Sequence, residues 1–147
     1  MKWVVALGAI RLLGCDGASS TINEDQANSA VASVTAPEGL SAGSNEMLRA
    51  RITAAPELEV LISDVIIPAD TEVPRHYHPG EEFVYVIEGS AIHVEEGKED
   101  RLIETGDAMV IPPEAVHSPR GGPGGARAIV FRVHIKDQPE RIPVPQE

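Results

Sequence analysis

The chain has 147 residues, enough for one domain, and 42 % of them are hydrophobic, as in an ordinary soluble globular protein. Its formal net charge of −11 repels phosphate backbones and anionic membrane surfaces, which argues against nucleic acid as a partner. No stretch of the sequence reaches the roughly 18 consecutive apolar residues of a transmembrane helix.

The first 15 residues have the pattern of an export signal. Lys2 is followed by an apolar run from Val4 to Ile10, and Leu-Leu-Gly precedes the only cysteine, Cys15. The four residues that end at Cys15 resemble the bacterial lipoprotein box, which implies a lipidated Cys15. Arg11 interrupts the apolar run, however, and Leu13 is bulky for such a box. We expect a signal peptide at 1–15 and a lipid-anchored or periplasmic protein of the cell envelope, with a cytoplasmic protein as the alternative.

Residues 16–45 are rich in Ser, Ala, Asn, Gln, Thr and Gly and poor in large apolar side chains. Such a segment buries too little surface to offset the entropy lost on ordering, so it predicts a flexible linker. A short helix near Glu24–Val34 is the alternative. If Cys15 is lipidated, this linker separates the folded domain from the membrane, and the lipid is the only predicted membrane contact.

Residues 46–138 have the texture of short strands. Apolar and polar residues alternate at 58–62, and apolar or alternating runs follow at 65–67, 83–87, 91–95, 101–104, 108–111 and 126–135. Turn residues separate several of these runs, at 88–90, 96–100 and 105–107. Gly121–Gly125 is predicted to be a flexible loop. Many short strands with frequent turns predict an all-β sandwich or barrel, and the proline-rich residues 139–147 predict an extended tail.

Two segments carry residues that suit a metal site. His76 and His78 are two apart, so a strand points both side chains the same way, and Glu82 has the same parity after the bend that Pro79–Gly80 permits. His117 follows a strand that ends at Pro112–Pro113 and brings a third imidazole from another part of the chain. Imidazoles and a carboxylate suit a first-row divalent metal.

These segments resemble the two signatures of the cupin superfamily. The first is His-x-His, three residues, Glu, six residues and Gly, which ends here at Gly89; the second is Gly, five residues, Pro, four residues and His, which runs here from Gly106 to His117. The resemblance implies a small single-domain cupin with a double-stranded β-helix, also called a jelly-roll barrel. It also implies one divalent transition metal, not distinguished among Fe, Mn, Ni, Co, Cu and Zn, held by His76, His78, Glu82 and His117.

Three positions depart from the cupin pattern. Asp70 and Glu114 stand where glycines are expected, and Gly121 stands where a late Asn is expected. All three positions belong to turns, so they affect the shape of the loops and leave the metal ligands in place.

The pocket beside the metal is predicted to be mainly apolar, with Val84, Val86 and Met109 in its wall. Val84 stands where similar lyases that cleave dimethylsulfoniopropionate carry a catalytic tyrosine, which argues against that activity. Arg132 and His134 share one side of the last strand. They either face the pocket, where they could meet an anionic substrate, or point to solvent. His93 is expected to be a surface or hydrogen-bonded histidine.

Two functions remain open at this point. The resemblance favours a metal-dependent dioxygenase or isomerase that acts on a small chelating metabolite (an enol, diol or acid), without identifying catalytic residues. The alternative is a non-catalytic module that binds a small ligand or a sugar around a structural metal. Phe83, Tyr85 and Ile87 have the parity opposite to the ligands, and this apolar outer stripe predicts a homodimer.

Overall fold

The computed structural model describes residues 31–145, which contain eight β-strands and no helix. The strands are β1 (Gly43–Ile52), β2 (Ala55–Ile67), β3 (His76–Tyr77), β4 (Glu82–His93), β5 (Arg101–Glu104), β6 (Ala108–Ile111), β7 (Arg120–Ile135) and β8 (Ile142–Pro143). The predicted all-β fold is confirmed. Over this same range, a helix with the length and apolarity to cross a membrane is not found.

Six strands form one antiparallel sheet in the order β1-β2-β7-β4-β5, with β6 paired to β4, and β3 and β8 form a separate two-stranded sheet. The long strand β7 lies in the middle and alternates along its length. Ala126, Ala128, Val130, Arg132 and His134 are buried, whereas the residues between them are partly or largely exposed. One face of the sheet therefore builds the interior of the barrel, around a core of Val86, Ala91, Ile103 and Ala126 with Met109 packed against it.

The prediction of a flexible loop at Gly121–Gly125 is wrong, because these glycines belong to β7. They permit close packing of the backbone. A Cβ atom on Gly121 would lie 2.2 Å from the carbonyl oxygen of Pro68, and one on Gly122 would lie 2.3 Å from Ser90 Oγ. The glycines are therefore sites of close approach, for which a side chain leaves no room.

The turn predicted at 88–90 is also wrong, since β4 continues through it. The pairing of β4 with β7 shifts register between Val86 and Glu88 and again between Gly89 and Ala91. Such β-bulges bend a strand without ending it. The turn-like residues Glu88, Gly89 and Ser90 thus mark a bend in one long strand.

The first strand begins at Gly43, inside the segment predicted as linker. Gly43, Ser44 and Asn45 pair with residues 64–66 of β2, and the Asn45 side chain donates to the Asp64 carbonyl oxygen at 3.1 Å. An edge strand with exposed side chains lacks the apolar alternation that would reveal it in a sequence. The predicted signal peptide at 1–15, with Cys15, and residues 16–30 of the predicted linker lie outside the described residues, and the envelope location stays a prediction.

Both positions at which the chain departs from an expected glycine have left-handed backbone: φ is +54° at Asp70 and +61° at Glu114. The Glu114 side chain is exposed, and its N–H donates to the His78 carbonyl oxygen at 2.8 Å. The turn is therefore retained, although a residue other than glycine adopts this left-handed conformation at a cost of about 1–2 kcal/mol.

Replacing Glu114 by glycine is expected to raise the free energy of unfolding by about 0.5–1 kcal/mol, since relief of strain exceeds the entropic cost of glycine in the unfolded chain. Urea denaturation measures this difference. The control Glu114→Ala keeps the strained conformation and should gain nothing. A less stable Glu114→Gly protein would contradict the interpretation.

Candidate metal centre

Three histidines meet at one end of the barrel. His76 lies on β3, His78 follows that strand, and His117 lies in the connection between β6 and β7. His76 and His117 are antiparallel bridge partners: the His76 N–H donates to the His117 carbonyl at 3.0 Å, and the reverse bond is 2.8 Å long. Backbone pairing therefore brings the two sequence motifs together.

The geometry of these three imidazoles fits a metal ion. All three are buried, and one nitrogen atom from each lies within 4.8 Å of the others. Each Nδ1 donates to a backbone carbonyl oxygen: His76 to Pro74 at 2.7 Å, His78 to Glu140 at 2.6 Å and His117 to Ala115 at 2.8 Å. Because the proton is on Nδ1, the free lone pair is on Nε2, as in metal-ligating histidines. The three histidines could therefore hold a divalent metal.

The protonation state suits the same role. Burial and the nearby His117 lower the pKa of His76 to about 3, and burial lowers the pKa of His117 below its ordinary value of 6.5. Both imidazoles are therefore neutral at pH 7, and only a neutral imidazole can donate its lone pair to a metal.

The metal-free protein is expected to lose stability as the pH falls from about 6.5 toward 3. In this window the unfolded chain binds protons on His76 that the folded chain does not, so the free energy of unfolding decreases with falling pH. Urea denaturation across the window measures the slope, and His76→Ala should have a flatter profile. An unchanged slope in that variant would contradict the burial effect on His76.

Glu82, the fourth predicted ligand, begins β4 and is buried beside the histidines. Its Oε2 lies 2.6 Å from Arg132 Nε and 3.0 Å from His78 Nε2, and the latter nitrogen has no hydrogen-bond partner among the described residues. Burial alone would raise the pKa of Glu82, but the positive charge of the adjacent Arg132 brings it below its ordinary value. Two ligand atoms of one octahedral metal lie about 3 Å apart, given bonds of about 2.1 Å. The spacing suits Glu82 as a ligand, which remains a prediction.

Two adjoining cavities meet at Glu82. The metal cavity, of about 130 Å³, contains the three histidines together with Arg132, Glu140 and Arg141. The apolar cavity, of about 60 Å³, contains the predicted wall residues Val84, Val86 and Met109. The site thus has a charged compartment and an apolar compartment side by side.

The sequence left the orientation of Arg132 and His134 open, and both side chains point inward and are buried. Arg132 lines the metal cavity. His134 lines neither of the two cavities: its Nε2 lies 3.1 Å from the Gln138 carbonyl oxygen, so it connects β7 to the following segment. His93 is buried and lines the apolar cavity, so it is not a surface residue. Its Nε2 lies 3.1 Å from Glu95 Oε2, which agrees with a hydrogen-bonded histidine.

Sequence reasoning missed Glu140 and Arg141, which it placed in an extended tail. The segment instead forms β8 beside β3, and both residues line the metal cavity. Neither residue belongs to a motif or a periodic run, so nothing local in the sequence indicated a role.

Comparison with known proteins agrees with the fold and the motifs. The family model of the cupin domain matches residues 63–132. Residues 63–132 are thus recognised as a cupin domain, as the motifs predicted, and the fold is a double-stranded β-helix. No curated protein matches the chain.

Solved structures show the same fold at low sequence identity. A protein with a double-stranded β-helix domain from Klebsiella pneumoniae is 17 % identical, with a TM-score of 0.56 over 76 % of this chain and 91 % of that chain. A cupin-like protein from Thermotoga maritima is 18 % identical, with a TM-score of 0.54 over 78 % and 86 %. The DMSP lyase DddQ from Ruegeria pomeroyi is 24 % identical, with a TM-score of 0.51 over 61 % of this chain. The chain spans 46 % of the length of that lyase.

Proposed function

We propose that the protein is a metal-dependent cupin enzyme that converts a small anionic metabolite by dioxygenation or isomerisation. The observation that carries the proposal is the set of three buried histidines whose free Nε2 atoms converge beside a cavity that also contains Arg132 and Arg141. A divalent metal bound there supplies Lewis acidity and a template for a chelating substrate.

The charges of the metal cavity favour an anionic ligand. Arg132 and Arg141 balance the carboxylates of Glu82 and Glu140, and the imidazoles of His76 and His117 are neutral at pH 7. The charge of a bound divalent cation is therefore not compensated by the cavity. A carboxylate or enolate that reaches the metal would neutralise part of that charge, and the guanidinium of Arg141 at the cavity lining would attract it.

The apolar cavity accounts for the remainder of the substrate. Val84, Val86 and Met109 offer it no hydrogen bonds, so it accepts a short hydrocarbon part and excludes water. Among the described residues, no tyrosine lines either cavity, and Val84 occupies the wall. This argues against a lyase mechanism that uses a tyrosine base.

One observation supports the alternative of a non-catalytic binding module. The guanidinium of Arg132 donates one hydrogen bond to the carboxylate of Glu82 and another to the carboxylate of Glu140. These ionic groups are engaged with each other, which suits the gripping of a ligand better than the transfer of a proton. In that case the metal is structural and the ligand leaves unchanged.

The two functions are separated by assaying the full-length protein loaded with iron, manganese or nickel. A panel of catechols, flavonols and short 2-oxo and 2-hydroxy acids is followed for oxygen uptake and for change of the compound. Metal-dependent turnover that is lost in His76→Ala/His78→Ala supports the enzyme, whereas saturable binding without turnover supports the module. Protein that binds neither metal nor any compound of the panel would contradict both.

A further inference from the structure

The segment Glu140–Val144, called the 140–144 segment below, lies against the metal-binding strand. β8 pairs with β3 in the register His76 to Pro143 and Tyr77 to Ile142, and the Val144 N–H donates to the Arg75 carbonyl oxygen at 3.0 Å. Because β3 has only two residues, it has little pairing of its own. β8 on one side and His117 on the other therefore fix its position.

The same segment also holds two of the imidazole rings. The carbonyl oxygen of Glu140 accepts the Nδ1–H of His78 at 2.6 Å. The carbonyl oxygen of Pro74 accepts the Nδ1–H of His76 at 2.7 Å, and Arg141 Nη2 donates to that same oxygen at 2.8 Å. The segment thus contacts His78 directly and fixes the acceptor of His76.

A third connection reaches the carboxylate of the site. Glu140 Oε1 accepts from Arg132 Nη1 at 2.8 Å, and Arg132 Nε donates to Glu82 Oε2 at 2.6 Å. Glu140 Oε2 lies 3.6 Å from Arg49 Nη2, which extends the series of ion pairs to β1. The side chain of Glu140 therefore sets the position of Arg132, and Arg132 that of Glu82.

His117 differs from the other histidines in this respect. Its Nδ1 donates to the carbonyl oxygen of Ala115, two residues earlier in its own segment. This hydrogen bond does not involve the 140–144 segment, so it should hold the His117 ring in place even when that segment is removed.

We infer that the 140–144 segment is a structural part of the metal centre and sets its metal affinity by orienting His76, His78 and Glu82. The inference rests on the metal site of the proposed function. Outer partners of metal ligands fix the tautomer and the direction of the lone pair, and their loss typically costs about 10–100-fold in affinity. Glu140 and Arg141 are thus positioning residues that act through the ligands.

The main test compares the full-length chain with one that ends at Gln138 and one that ends at Pro145. Affinity for Co²⁺ is measured by competition with a chromophoric chelator, and the visible spectrum of bound Co²⁺ reports its coordination. We expect the chain ending at Gln138 to bind about 10–100-fold more weakly, with an altered spectrum, and the chain ending at Pro145 to match the full-length chain. Equal affinity and spectrum in all three chains would overturn the inference.

A point variant keeps the inference testable if the shorter chain does not fold. Arg141→Ala should weaken Co²⁺ binding by about tenfold, and Arg141→Lys should restore part of the loss. Arg120→Ala, at an exposed arginine that does not line the metal cavity, is the matched control. An unchanged Co²⁺ affinity in Arg141→Ala would contradict the inference that the segment orients the ligands.

The full-length chain allows a reciprocal measurement without any substitution. If the segment strengthens metal binding, the metal must stabilise the segment by the same factor. Amide hydrogen exchange of residues 140–142 and of Val144 should therefore slow when Co²⁺ is added, while β5, which pairs with β4 alone, should change little. Binding without added protection of 140–144 would refute the inference, and full-length protein that binds no metal would refute the proposed function with it.

Discussion

Alanine at His76 or at His117 is expected to lower the affinity for a divalent metal by about two orders of magnitude or more, and the wild-type protein should bind close to one metal per chain. The reason is geometric, because both side chains are buried and held by backbone carbonyl acceptors that direct their Nε2 atoms toward the site. Metal content after dialysis, measured by mass spectrometry, gives the stoichiometry. Isothermal titration gives the affinity.

Two further variants complete this experiment. His134→Gln serves as the control, since His134 is a buried histidine that lines neither cavity. Glu82→Gln decides the number of ligands: a large loss of affinity makes Glu82 a ligand, and an unchanged affinity leaves a site of three histidines. Full metal occupancy in His76→Ala/His78→Ala would exclude this centre as the metal site.

The second large effect concerns assembly: the protein is expected to form a homodimer through the outer face of β6, β4 and β7. Phe83, Tyr85, Val110 and Phe131 are 40–53 % exposed on these strands, and Phe83 is paired with both Val110 and Phe131. Large apolar side chains clustered in this way on a sheet surface are typical of an interface. Ile87, the third residue of the predicted stripe, is partly buried.

A charge in the middle of this face should separate the subunits. Phe131→Glu is expected to raise the dissociation constant by about 30-fold or more, the effect of losing about 2 kcal/mol at an interface centre. Light scattering and sedimentation of the full-length chain measure the change. Leu102→Glu, on the edge strand β5 and 53 % exposed, should leave the dimer intact. A wild-type protein that is monomeric at micromolar concentration would exclude this interface.

Much of the candidate centre could be predicted from spacing, because its histidines lie where short-range rules apply. His76 and His78 share a face by strand parity, and the turn after Pro112–Pro113 returns the chain to His117. The pattern of short apolar and alternating runs likewise predicted the all-β fold.

What the sequence could not show depends on contacts between distant segments. The side of β7 that faces inward follows from its pairing with β2 and β4, and Arg132 and His134 alone are compatible with either choice. Glu140 lies in a short proline-rich stretch whose pairing with β3 has no local pattern. Glycines that signal loops in a sequence also permit close backbone packing, as at Gly121.

The acceptors of the three Nδ1 protons are peptide carbonyl oxygens of Pro74, Ala115 and Glu140. A side-chain substitution cannot delete a peptide carbonyl, so the orientation of the imidazoles is separate from the chemistry of the pocket wall. We therefore expect changes in the size and polarity of Val84, Val86 and Met109 to leave the orientation of the three imidazoles unchanged. This separation makes the barrel a suitable scaffold for changing ligand choice by evolution or by directed mutagenesis of the wall alone.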